Sequence, residues 1–157
     1  MKNLKKIKLI FLVGILSFMG LNTKVEAATT APSTIKTWAI YELPKYVQNL
    51  PVVHQKPLQN GIYVYCENEG LKYWSEYTMY LNGKVNDGFI YILENMPNTG
   101  DSKKDYYIMQ IAVWWYEDII SGNNKNLTTS QKQYITNNAS SNNICKKIYN
   151  LVNGAKN

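Results

Sequence analysis

The sequence predicts an α+β domain in which a small β part carries Cys66 and a helical part carries Gln110. Two observations carry that reading. The first half has short runs of β-branched and aromatic residues set between Asn-Gly turns, and the second half has apolar residues at helical spacing. A third bounds the size: 157 residues, 45% apolar and 13% aromatic, support one domain with a packed core and exclude a disordered chain.

Residues 28–37 are small, polar and Pro-containing, and read as a leader or linker. From Trp38 to Leu58 three prolines, Pro44, Pro51 and Pro57, oppose a continuous helix. Asn60-Gly61 marks a turn, and residues 62–66 (IYVYC) read as a strand. Residues 72–81 read as a second strand, ended by Asn82-Gly83. Segment 87–97 fits either a short buried strand or a helix capped by Asp87 and stopped near Pro97. The clearest helix is 103–121. Ser102 with Asp105 resembles a capping box, Ile108, Ile111, Ala112, Trp115 and Ile119 share a face, and Gly122 follows as the C′ residue. Two further helices are expected at 130–138 and 142–153. The last carries a stripe of Ile144, Ile148, Leu151 and Val152 and is ended by Gly154.

The formal charge of +6 is unevenly placed. Residues 1–27 read as a secretory signal peptide: Lys2, Lys5, Lys6 and Lys8 precede an apolar run from Leu9 to Leu21, and Val25-Glu26-Ala27 offers small residues for cleavage. The run of thirteen is short of the roughly 18–20 residues that span a bilayer, so a cleaved signal is favoured over an anchor, with no membrane insertion after cleavage. This segment holds a net of +4; residues 28–157 hold twelve lysines against ten acidic residues, and no charged partner is implied. All basic residues are lysine. The absence of arginine, the usual reader of phosphate and guanine, argues against specific nucleic-acid binding. No metal-ligand spacing, phosphate-binding glycine loop or paired carboxylates stand out. Glu117-Asp118 reads as a solvated helix face, and no metal or cofactor is expected.

In an exported chain, two cysteines suggest a disulfide. Cys66 and Cys145 are 79 positions apart, and closing that loop would stabilise the fold by roughly 4 kcal/mol on a chain-entropy basis. A second feature competes. Gln110 is flanked by Met109, Ile111, Ala112 and Val113, so no rotation of the helix leaves it on a polar face. Its amide needs partners, whether a neighbouring loop or something more reactive.

Tyr65-Cys66 followed by Gln110-Ile111-Ala112-Val113-Trp114 resembles the thioester domains of Gram-positive surface adhesins. Ile92-Leu93-Glu94-Asn95-Met96-Pro97 resembles that family's Ile-Leu-x-Asn-x-x-Pro stretch, shorter by one residue. Leu127-Thr128 and the segment 148–155 resemble its closing helices. The similarity covers roughly 60–157 and implies a thioester domain over 38–157. There are departures. Met109 stands where the family commonly has threonine, only 44 positions separate cysteine and glutamine, and neither stalk domains nor a wall anchor follow. The chain reads as a secreted stand-alone form or a piece of a longer adhesin.

The resemblance implies a Cys66–Gln110 thioester that couples covalently to an amine, such as a lysine, on a host or neighbouring surface protein. That is a single-turnover covalent binder and not a turnover enzyme. The alternative is a secreted α+β binding module stapled by a Cys66–Cys145 disulfide. Under the thioester reading Cys145 is a small buried hydrophobe. Tyr65, Trp74, Tyr107, Trp114 and Trp115 are candidate walls that keep water from the bond, against the plainer reading that they are core. His54, the single histidine, is a candidate proton shuttle for acyl transfer, against a loop residue between Pro51 and Pro57. The oxyanion donors are not legible in the sequence.

Overall fold

A computed structural model describes residues 9–10, 34–36, 41–57, 63–66, 78–80 and 85–157. The fold is α+β, with short antiparallel strands followed, among the described residues, by four helices. The strands are β1 (Leu9–Ile10), β2 (Thr34–Lys36), β3 (Tyr41–Glu42), β4 (His54–Pro57), β5 (Tyr63–Cys66) and β6 (Thr78–Tyr80). The helices are α1 (Asp87–Glu94), α2 (Ser102–Ile120), α3 (Thr129–Asn138) and α4 (Asn143–Ala155). One sheet has the order β1-β5-β4-β3, and β2 pairs with β6 separately. β1 lies within the stretch read as the export signal, with Leu9 opposite Cys66, and β2 lies within the stretch read as a leader. Trp74, most of the second expected strand and both Asn-Gly turns fall outside the described residues.

The ambiguous segment 87–97 is helical over Asp87–Glu94. Its cap is Asn86 and not Asp87: Asn86 Oδ1 accepts from the Gly88 N–H at 2.9 Å and also holds the Tyr116 hydroxyl at 2.8 Å. The cap of α2 also moves back one residue from the expected position. The Asp101 carboxylate accepts from the N–H groups of Lys103 and Lys104, which a Ser hydroxyl one position later would not satisfy. Asp105 turns back to the Thr99 N–H instead of closing a box with Ser102. A true capping box opens α3, between Thr128 and Gln131.

α2 is buried on every side from Asp105 to Tyr116, more than the single apolar face expected. α4, α1 and strands β4 and β5 pack on it, and α3 packs in turn on α4. The solvated face expected at its end is overturned at Asp118, which is buried. Loop 121–128 folds back over this carboxylate, which accepts from the N–H groups of Asn126 and Leu127 and meets Lys132 Nζ at 2.7 Å. Lys132 also reaches Asn124 Oδ1 at 2.6 Å. Gly122 has φ +66°, as a C′ glycine should. Gly154 does not end α4. It lies inside the helix, where a Cβ would collide with the Tyr91 ring, so its role is close approach between α1 and α4.

Candidate functional site

Gln110 sits in the middle of α2, 1% exposed. By helical spacing its face also carries Tyr106 one turn earlier, Tyr107, Val113, and Trp114 one turn later. All are buried. The Tyr107 hydroxyl donates to the Pro51 carbonyl at 3.3 Å, and its ring meets Tyr46 edge-on at 5.4 Å. Burial pushes the Tyr107 phenol well above its ordinary range, with the nearby Cys145 a second cause. Trp115 lies elsewhere: it is about 140° around the helix from Gln110 and packs against Tyr149 of α4. As a wall at Gln110 it is therefore corrected to core between helices.

The sheet meets α2 through Tyr65. This residue is 3% exposed, and its ring stacks on Tyr106 with centroids 4.7 Å apart and planes at 18°. The Tyr65 hydroxyl points to Met96 Sδ in the α1–α2 connection, 3.9 Å away. Tyr106 also donates to the His54 carbonyl at 3.5 Å, so one tyrosine of α2 touches both β4 and β5. Cys66 directly follows Tyr65 at the end of β5, so this contact sets the residue next to Cys66 in the chain against α2.

β4 pairs with β5 through Lys56–Val64 and Pro57–Tyr63. The same antiparallel register sets Gln55 opposite Tyr65 and His54 opposite Cys66. Burial agrees with the alternation: Val53, Gln55 and Tyr65 are buried, whereas His54 is partly exposed. His54 belongs to a strand and not to a free loop. Its Nε2 lies 3.6 Å from Glu42 Oε2, and Glu42 is its register partner on β3.

Sequence reasoning missed Gln55, Tyr106 and Glu42. The alternation of Val53 and Gln55 about His54 was a signal for an inward glutamine, but prolines on both sides obscured the strand. Gln55 is 6% exposed and its Nε2 has no hydrogen-bond partner, and the indole Nε1 of buried Trp114 has none either.

Cys145 is a free thiol, fully buried in α4, and burial raises its pKa. Among the described residues no group of three His, Cys, Asp or Glu side chains could hold a metal ion, and no described helix is long and apolar enough to cross a membrane. Comparison with known protein families, with curated proteins and with solved structures returns no match.

Proposed function

We propose that this chain is an exported thioester domain of the adhesin type, in which Cys66 and Gln110 form an internal thioester that captures an amine on a host or neighbouring surface protein. The small sheet forms the part that carries the cysteine, and the helices form the part that carries the glutamine. The observation that carries the reading is the Tyr65–Tyr106 stack, which sets the residue before Cys66 one helical turn from the buried Gln110. The free state of Cys145 favours it over the disulfide-stapled module, which needs that thiol.

The chemistry explains why a glutamine is kept in the core. A primary amide resists amines; a thioester does not, because its leaving group is a thiolate with an ordinary pKa of about 8.5. Cys66 Sγ attacks Gln110 Cδ, the C–N bond breaks and ammonia leaves with the thiol proton. An incoming amine then attacks the same carbon, the C–S bond breaks, Cys66 regains a proton and Gln110 carries an amide to the partner. The protein is consumed in one turnover. His54, steadied by Glu42, serves as the proton shuttle; Tyr65, Tyr107 and Trp114 exclude water. The signal segment directs the chain outside the cell, and no metal or cofactor takes part.

Intact mass decides the matter. The purified protein should be lighter than its sequence by one ammonia and should gain one methylamine at Gln110. A mass without ammonia loss, together with no methylamine adduct, refutes the thioester.

A further inference from the structure

Two buried donors, Gln55 Nε2 and Trp114 Nε1, have no hydrogen-bond partner, and native proteins leave few such groups. Leaving a buried donor unmet costs on the order of 1–3 kcal/mol, so each needs a reason. Trp114 follows Gln110 by one turn on the same face of α2. Gln55 occupies the register position opposite Tyr65, whose ring lies on Tyr106 one turn before Gln110. The two residues are thus set on either side of Gln110 along α2, Trp114 by helical spacing and Gln55 by its register with Tyr65.

We propose that Gln55 Nε2 and Trp114 Nε1 are the donors that hold the oxyanion at Gln110. The inference rests on the thioester reading and supplies the part of that mechanism the sequence did not reveal. When Cys66 Sγ bonds to Gln110 Cδ, the carbonyl π pair moves to Oε1 and the carbon becomes tetrahedral. The oxygen shifts as it gains charge. Donors built for that displaced oxygen are unmatched in the resting amide, which is the state in which both are found here. The pair collapses when ammonia leaves, and the same anion forms again when an amine attacks the thioester. In a site this buried, fixed N–H dipoles replace water that cannot enter.

The test compares Gln55→Met, Gln55→Leu and Trp114→Phe with the wild-type protein in two measurements: the rate of ammonia loss after refolding, by intact mass, and the rate of methylamine addition. Each variant should react about 10²-fold to 10³-fold more slowly, the usual effect of deleting one oxyanion donor. The Gln55 variants should melt no lower than wild type, because an unmet donor has been removed; a merely structural glutamine would show the reverse. The two apolar replacements differ in shape, so a packing fault in one is exposed by the other. Wild-type rates in the Gln55 variants, or a loss confined to one of the two positions, overturn the pair. A wild-type protein that neither loses ammonia nor takes up methylamine overturns the thioester itself, a result distinct from both.

Discussion

The contact between Tyr65 and Tyr106 is the joint on which the proposed thioester site depends, and a double-mutant cycle measures it. Both rings are buried, and their centroid distance of 4.7 Å with planes at 18° is a stacked geometry. Such pairs contribute about 0.5–1.5 kcal/mol beyond the area they bury. Replacing either tyrosine by leucine should destabilise the fold by less than the roughly 3–5 kcal/mol of truncating a buried aromatic to alanine. The double variant should fall short of the sum of the singles by the coupling energy of about 0.5–1.5 kcal/mol, read from denaturant unfolding. The chemistry should suffer more than the stability. Moving a nucleophile by about 1 Å costs on the order of a hundredfold in rate, so Tyr106→Leu should form the thioester far more slowly while remaining folded. Tyr106→Phe is the control: it keeps the stacked ring and removes the hydroxyl that donates to the His54 carbonyl at 3.5 Å. A coupling near zero, or wild-type ammonia loss in Tyr106→Leu, refutes the idea that this stack docks the cysteine strand on the glutamine helix.

Cys66→Ala and Gln110→Ala should each retain the full sequence mass and take up no methylamine; an adduct in Cys66→Ala would show a different nucleophile. Asp118→Ala should destabilise the protein by about 3–5 kcal/mol, the cost of breaking a buried ion pair, since it takes the carboxylate from Lys132, leaving it the neutral oxygens of Asn123 and Asn124, and the acceptor from two loop N–H groups; equilibrium unfolding checks this, and a negligible change refutes the fold-back of loop 121–128. Asp101 has its pKa held down chiefly by the Lys104 backbone N–H, aided by the Tyr46 hydroxyl and the Lys103 N–H. A depressed folded-state pKa means its stabilisation is present above the ordinary carboxylate range and is lost as pH falls through the folded value; wild type and Asp101→Asn should therefore converge in melting temperature on acidification. His54→Gln should slow methylamine addition without lowering the thioester content reached at completion, and unchanged kinetics would return His54 to a structural role.

What the sequence disclosed depended on whether a residue's neighbours in the chain are also its neighbours in space. Gln110 was legible because its apolar surroundings are its own helix, and the strand ending at Cys66 was legible from four consecutive side chains. Asp118 was not, because its burial is made by a loop that returns eight and nine residues later. Gly154 was misread because a helix-ending glycine and a close-approach glycine look alike until the Tyr91 ring is in place. Trp115 shared the aromatic character of its neighbours, and only its angle on the helix assigns it to α4. The two helix caps shifted by one residue because Asn and Asp adjoin other good capping residues, and only the geometry chooses between them.

The buried amides finally bear on one another. A core has two ways to tolerate a glutamine: satisfy its amide, or use it. Gln55 shows that this core does not satisfy every amide, since its Nε2 remains without a partner opposite a fully packed tyrosine. Apolar replacement of a partnerless donor is expected to be neutral or stabilising, so stability alone does not account for its presence. Gln110 sits in the most buried stretch of the longest helix, with Met109 and Ile111 equally enclosed. Under the proposed thioester chemistry, Gln110 is the electrophile and Gln55 a donor for its oxyanion, a role that would account for a partnerless amide in the core. The stability of Gln55→Met and its reactivity should therefore move in opposite directions, and a core built only for packing would move them together.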